Sequence, residues 1–121
     1  SMTTLERYLA AATRKNTQQS YAQATRHFEE DFGGFLPATG EAVARYLVAY
    51  AGVLSNNTLR QRLSALASWH RRQGFPDPTR DEMVRQAFKG IRAVHATVER
   101  QAAPLQVADL ERVDAFCRAA A

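Results

Sequence analysis

Cysteine is almost missing from this chain: one thiol, Cys117, stands among 121 residues. A single thiol cannot close an internal disulfide, so the fold is expected to rest on its core alone, in a reducing, cytoplasmic setting. No apolar run approaches the roughly 18 residues that cross a membrane. Glu6 and Arg7 interrupt the N-terminal stretch too early for a secretory signal. Glycine-rich phosphate loops are missing too, because the glycines sit at expected helix ends, apart from Gly90. His27, His70 and His95 are scattered, with no cysteine or carboxylate at metal-ligand spacing. His70 and His95 fall on inward stripes and read as hydrogen-bonded core histidines. No metal, cofactor or small-molecule ligand is expected. Acids are missing from one long interval, Ala42 to Pro76, which contains Arg45, Arg60, Arg62, Arg71 and Arg72. With a net charge of +4 overall, this distribution makes one face more positive than the total implies.

Strand-like alternation is absent, and what is present is helical periodicity throughout. The pattern predicts an all-α bundle. A short first helix runs from about Thr4 to Ala12, and Arg14-Lys15-Asn16 separates it from a second. The second starts after Asn16-Thr17, carries Tyr21, Ala24, Phe28 and Phe32 on one stripe, and stops at Gly33-Gly34. A third begins near Thr39, buries Val43, Leu47 and Tyr50, and ends at Gly52. Ser55-Asn56-Asn57 caps the fourth, which runs to Gln73 with Gly74 as its stop. Phe75-Pro76-Asp77-Pro78 is a turn. The fifth opens at Thr79 or Asp81, with Val84, Phe88, Ile91, His95 and Val98 inward. Glu99 to Pro104 reads as a linker, and a last amphipathic helix spans about Val107 to Ala120. Its stripe of Leu110, Val113 and Phe116 has no later partner, so it is expected to begin something that continues beyond this sequence.

The fourth helix carries the functional argument. Leu59, Leu63, Leu66 and His70 share one sector at about 100° per residue. Asn57, Arg60, Gln61, Ser64, Ser68, Arg71 and Arg72 lie away from it, without an acid or a bulky apolar group. Ordinary solvated faces mix Glu with Lys. Amides and arginines that pair with base edges or phosphates suit a major groove. The second helix repeats the pattern with Gln19, Gln23 and Arg26 outward and Ser20 beside them. On the fifth, Arg85, Lys89 and Arg92 make a cationic stripe suited to phosphates.

The residue order also resembles the N-terminal core-binding domain of tyrosine recombinases, the phage-integrase family. The resemblance runs through Asn16-Thr17, Tyr21, Phe28, Leu36-Pro37-Ala38, Val43, Tyr46-Leu47, Ser55, Thr58-Leu59 and Arg62-Leu63-Ser64-Ala65-Leu66. It continues through His70, Gly74, Pro76-Asp77-Pro78-Thr79, Lys89-Gly90-Ile91-Arg92 and Ala103-Pro104-Leu105, in an arrangement closest to Cre-like members. The resemblance implies a SAM-like bundle of four to five helices that clamps double-stranded DNA. Residues 3–99 would form the clamp, and residues 100–121 the linker and first helix of a separate catalytic domain. It implies DNA contacts from Thr17, Gln19, Ser20, Gln23 and Arg26, and from Asn57, Thr58, Arg60, Gln61, Arg71 and Arg72. The face and stripe readings add Ser64, Ser68, Lys89 and Arg92. Ala65 stands where Cre-like members can have a longer polar residue. The family's catalytic residues belong to the C-terminal domain, so none is expected here. Family members assemble as tetramers on DNA through N-terminal helices, which makes residues 4–12 a candidate self-association surface. If those residues do not serve in assembly, they would simply cap the bundle. A helical protein-interaction module of SAM type is the competing reading of the same faces. A free-standing helix-turn-helix repressor ranks last, because the turn before the fourth helix is long.

Overall fold

The computed structural model describes the backbone of residues 2–102 and the side chains of residues 2–96. Its first element corrects an expectation. Helix α1 spans Thr4–Arg26 without interruption, so the predicted first and second helices are one. Thr3 caps it in a full capping box: its side chain accepts from Glu6 N at 3.1 Å, and Glu6 Oε2 accepts from Thr3 N at 3.1 Å. Asn16 and Thr17 favour caps only where the backbone leaves the helix. No glycine or proline stands between Thr4 and Phe32 to make it do so. Keeping them in mid-helix costs a few tenths of a kcal/mol each, less than nucleating a second helix.

The helix widens at its end into a π-turn, His27–Asp31, closed by Phe32 N donating to His27 O at 3.1 Å. The turn sets Phe28 wholly inside the core. Gly34 follows, its N–H donating to Phe28 O at 2.9 Å. A Cβ on Gly34 would fall onto the Phe28 ring, so only glycine permits this close approach. The Leu36–Pro37 peptide is cis.

Helix α2, Gly40–Tyr50, starts as expected at Thr39, whose side chain accepts from Ala42 N. Its buried residues are Val43, Ala44, Tyr46 and Leu47, with Tyr50 at the margin. Helix α3, Asn56–Gln73, is capped by Ser55 and stopped by Gly74 at φ 80, a left-handed position that glycine adopts without strain. Pro78–Arg80 forms one 3-10 turn behind the Asp77 cap. Helix α4 runs Glu82–Ala102, with Asp81 Oδ1 accepting from Met83 N at 2.8 Å. The linker expected from Glu99 is therefore helical through Ala102. No glycine or proline stands between Gly90 and Pro104, so helix propensity carries past the predicted stop. The helix expected over 107–120 lies outside the described residues.

Helix α1 packs on α3, and α2 packs on α4, with the 3-10 turn wedged among α2, α3 and α4. The core between them is Phe28, Val43, Ala44, Tyr46, Leu47, Leu59, Leu66, Val84 and Ile91. The described residues hold four α-helices and no strand, an all-α bundle as expected. His70 is fully buried with both ring nitrogens engaged: Nδ1 lies 2.7 Å from Leu66 O, and Nε2 accepts from Ala38 N at 2.8 Å. That pattern requires the neutral ring with its proton on Nδ1. The N-terminal half of α1 projects from this bundle. Leu5, Tyr8 and Leu9 are 67%, 72% and 58% exposed, so residues 4–12 do not cap the core.

Candidate nucleic-acid interface

Helix α3 buries Leu59, Leu66 and His70 as the periodicity required, with Leu63 half-buried beside them. Asn57, Arg60, Ser64, Arg71 and Arg72 are exposed, whereas Thr58, Gln61 and Ser68 are only partly so. Ala65 is wholly buried, as is Ala24 of α1, the helix that packs on α3, so no base contact comes from Ala65.

The crossing divides the predicted residues. Gln61 Nε2 donates to Ser20 Oγ at 2.7 Å, so these two engage each other across the helix pair rather than facing solvent independently. Thr17, Ser68 and Arg72 line a groove between α1 and the last two turns of α3. Gln19, Gln23 and Arg26 are exposed on a different side of α1: Gln23 lies about 160° around the helix from Tyr21, which faces that groove. Sequence reasoning placed these residues on two helix faces. It could not foresee that the angle between helices would separate them.

Arg60 and Arg92 are brought together. Their guanidinium carbons lie 5.7 Å and 5.0 Å from the centroid of the same ring, Phe88 of α4. Arg60 also donates to Asn57 Oδ1 at 3.0 Å. Both cations are held over an aromatic face, next to the exposed Lys89 and Arg85, and neither pairs with a carboxylate among the described residues. Phe88 was expected to point inward. It packs half-buried against the core and also serves as the platform for the pair.

The acid-free interval is less positive at its surface than its composition implies. Arg45 pairs with Glu41 at 2.9 Å, and Arg71 reaches Asp77 at 3.4 Å. Each partner lies just outside the interval, at helix or turn spacing. Arg62 turns inward to the hydroxyl of Tyr46, leaving its Nη1 buried without a partner. Arg60 and Arg72 are the interval's arginines left exposed and free of carboxylates among the described residues.

Around Arg62 the sequence reading missed a polar cluster. Tyr46 is wholly buried, and its hydroxyl lies 2.7 Å from His27 Nδ1, while His27 Nε2 stands 3.5 Å from Asp31. Tyr50 tilts against His27, with centroids 4.6 Å apart. Burial raises the Tyr46 pKa above its ordinary 10.0, and the neighbouring Arg62 charge offsets part of that rise. The signal was weak, because His27 lies in the π-turn, where the 3.6-residue period no longer assigns faces. Among the described residues no group of His, Cys, Asp and Glu could hold a metal, and no helix is long and apolar enough to cross a membrane.

Comparison with known proteins supports the family resemblance. The chain is similar to an integrase/recombinase xerD homolog of Selenomonas ruminantium, 30% identical over 107 residues, which is 83% of this chain and 31% of that protein. The chain thus spans about a third of that relative's length. No model of a known protein family matches, and no solved structure matches.

Proposed function

We propose that this chain grips double-stranded DNA as the core-binding part of a site-specific integrase or recombinase of the tyrosine-recombinase family, Cre-like in its arrangement. The observation that carries the reading is the Arg60–Phe88–Arg92 cluster: two arginines from two helices, free of carboxylates and positioned over one ring. Preset cations bind phosphates at lower entropic cost than free side chains. Lys89 and Arg85 extend the patch along α4, and Asn57 and Ser64 flank it on α3. On α1 the exposed Gln19 and Gln23 offer amides for base edges. On this reading the cutting chemistry of the parent protein lies elsewhere: residues 3–99 form the clamp, and residues 100–121 lead into the catalytic part.

Binding to non-specific duplex DNA tests the proposal. If about four to six phosphates are contacted, the logarithm of affinity falls against the logarithm of salt with a slope of roughly −4 to −5. Arg92→Ala lowers affinity for all sequences alike and reduces the slope by about 1. Arg60→Ala costs on the order of 1–3 kcal/mol if it also reads a base. An affinity indifferent to salt overturns the reading and favours a protein-interaction module.

A further inference from the structure

The groove between α1 and the end of α3 belongs to neither the core nor the Arg60–Arg92 patch. It encloses about 570 Å³, within the range of roughly 300–1,000 Å³ typical of ligand sites. Arg14, Gln18, Tyr21 and Thr25 form one narrow stripe of α1 along it, at spacings of three and four residues. Trp69 and Arg72 face them from α3. Its two aromatic rings, Tyr21 and Trp69, are half-buried, and Trp69 is backed by Phe75 in a parallel stack with centroids 6.0 Å apart. No acid lines the groove, and neither Arg14 nor Arg72 has a carboxylate partner among the described residues.

We propose that this groove is a binding site for single-stranded nucleic acid, with a base held against Trp69 and Tyr21 and the adjoining phosphates met by Arg14 and Arg72. Two unpaired cations call for an anion. The recessed rings call for a flat apolar face. A single strand offers both together, which is the usual chemistry of sequence-tolerant strand binding. In a duplex each base face is covered by its neighbours, so a ring set back between two helices cannot reach one. The site does not rest on the duplex reading: Arg14, Gln18, Tyr21 and Thr25 lie on the other side of α1 from Gln19, Gln23 and Arg26, although Thr17, Ser68 and Arg72 in the groove were also expected to meet a duplex.

Trp69 is the single tryptophan of the chain, so its fluorescence reports on the groove directly. Titration of the whole chain with an oligothymidylate of about twelve nucleotides is expected to quench that emission saturably, with weaker binding at higher salt. The double reversal Arg14→Glu, Arg72→Glu changes exposed side chains outside the core, so the fold is retained, with a small fall in thermal melting from the acid at the α3 C-terminus. It moves the quenching midpoint at least about tenfold, equivalent to about 1.4 kcal/mol. Tyr21→Leu, which keeps an apolar contact, weakens quenching about tenfold by loss of stacking. Absence of quenching overturns the proposal, as does a midpoint unmoved by the charge reversal. Equal quenching by a polyglutamate peptide assigns the groove to acidic peptides, and equal quenching by a duplex merges it with the duplex surface. Either result overturns the proposal as well. Duplex affinity, followed with a labelled duplex and Arg92→Ala, is a separate readout, so failure of either reading is recognised independently.

Discussion

At the scale of single residues, buried polar side chains organise this small core as much as its apolar ones do. His70 ties α3 to the loop before α2 through Ala38, and its neutral ring is specified by one donor and one acceptor. His70→Leu fills similar space but strands the Ala38 N–H. It should lower unfolding free energy by about 1–3 kcal/mol in urea denaturation. Tyr46 makes a different prediction. Burial raises its folded-state pKa above 10.0, so the phenol form is favoured by folding. A raised folded-state value contributes stability that is fully present below the unfolded value and is lost as pH rises through the folded one. Stability should therefore fall as pH rises past the ordinary 10.0 and through the raised folded-state value, and Tyr46→Phe should make that fall shallower. Equal slopes in the two proteins would show that other groups govern the alkaline loss.

At the scale of elements, helix starts and stops were legible because each has a local chemical cause. Thr39, Ser55 and Asp81 cap, Gly74 terminates, and the prediction needed only neighbours within a turn. The division of α1 was not legible, because Asn and Thr serve as caps or as tolerable interior residues depending on what surrounds them. Without tertiary cover, the projecting half of α1 is held by its own hydrogen bonds and the Thr3–Glu6 box, and short uncovered helices are marginal in water. Amides of residues 8–14 should exchange far faster than those of residues 21–28, which sit against α3 and the core. Equal protection in native-state hydrogen exchange would mean that something covers the projection in solution.

At the scale of the whole molecule, that projection carries an exposed apolar row of Met2, Leu5, Tyr8 and Leu9. We propose that it meets a second copy when copies are brought side by side on DNA. Sedimentation should show a monomer at micromolar concentration without DNA. Cooperative assembly should appear on a duplex carrying adjacent sites, and Leu5→Glu, Leu9→Glu should abolish it while leaving single-site binding unchanged. A stable dimer in the absence of DNA would show that the surface does not depend on DNA.

The sequence by itself determined the all-helical class, most helix boundaries, the Leu59–Leu66–His70 stripe and the exposed polar rows, because each follows from local periodicity and capping. Only the tertiary structure decided which rows act together. The packing of α1 on α3 joined Ser20 to Gln61 and opened the groove at Trp69. The packing of α4 brought Arg92 to the ring that Arg60 also covers. Ion pairs with Glu41 and Asp77 neutralised two arginines that composition alone had counted as free. Helical periodicity specifies directions around one axis. Angles between axes are set by the volumes of small and large side chains at the contacts, which no single segment contains.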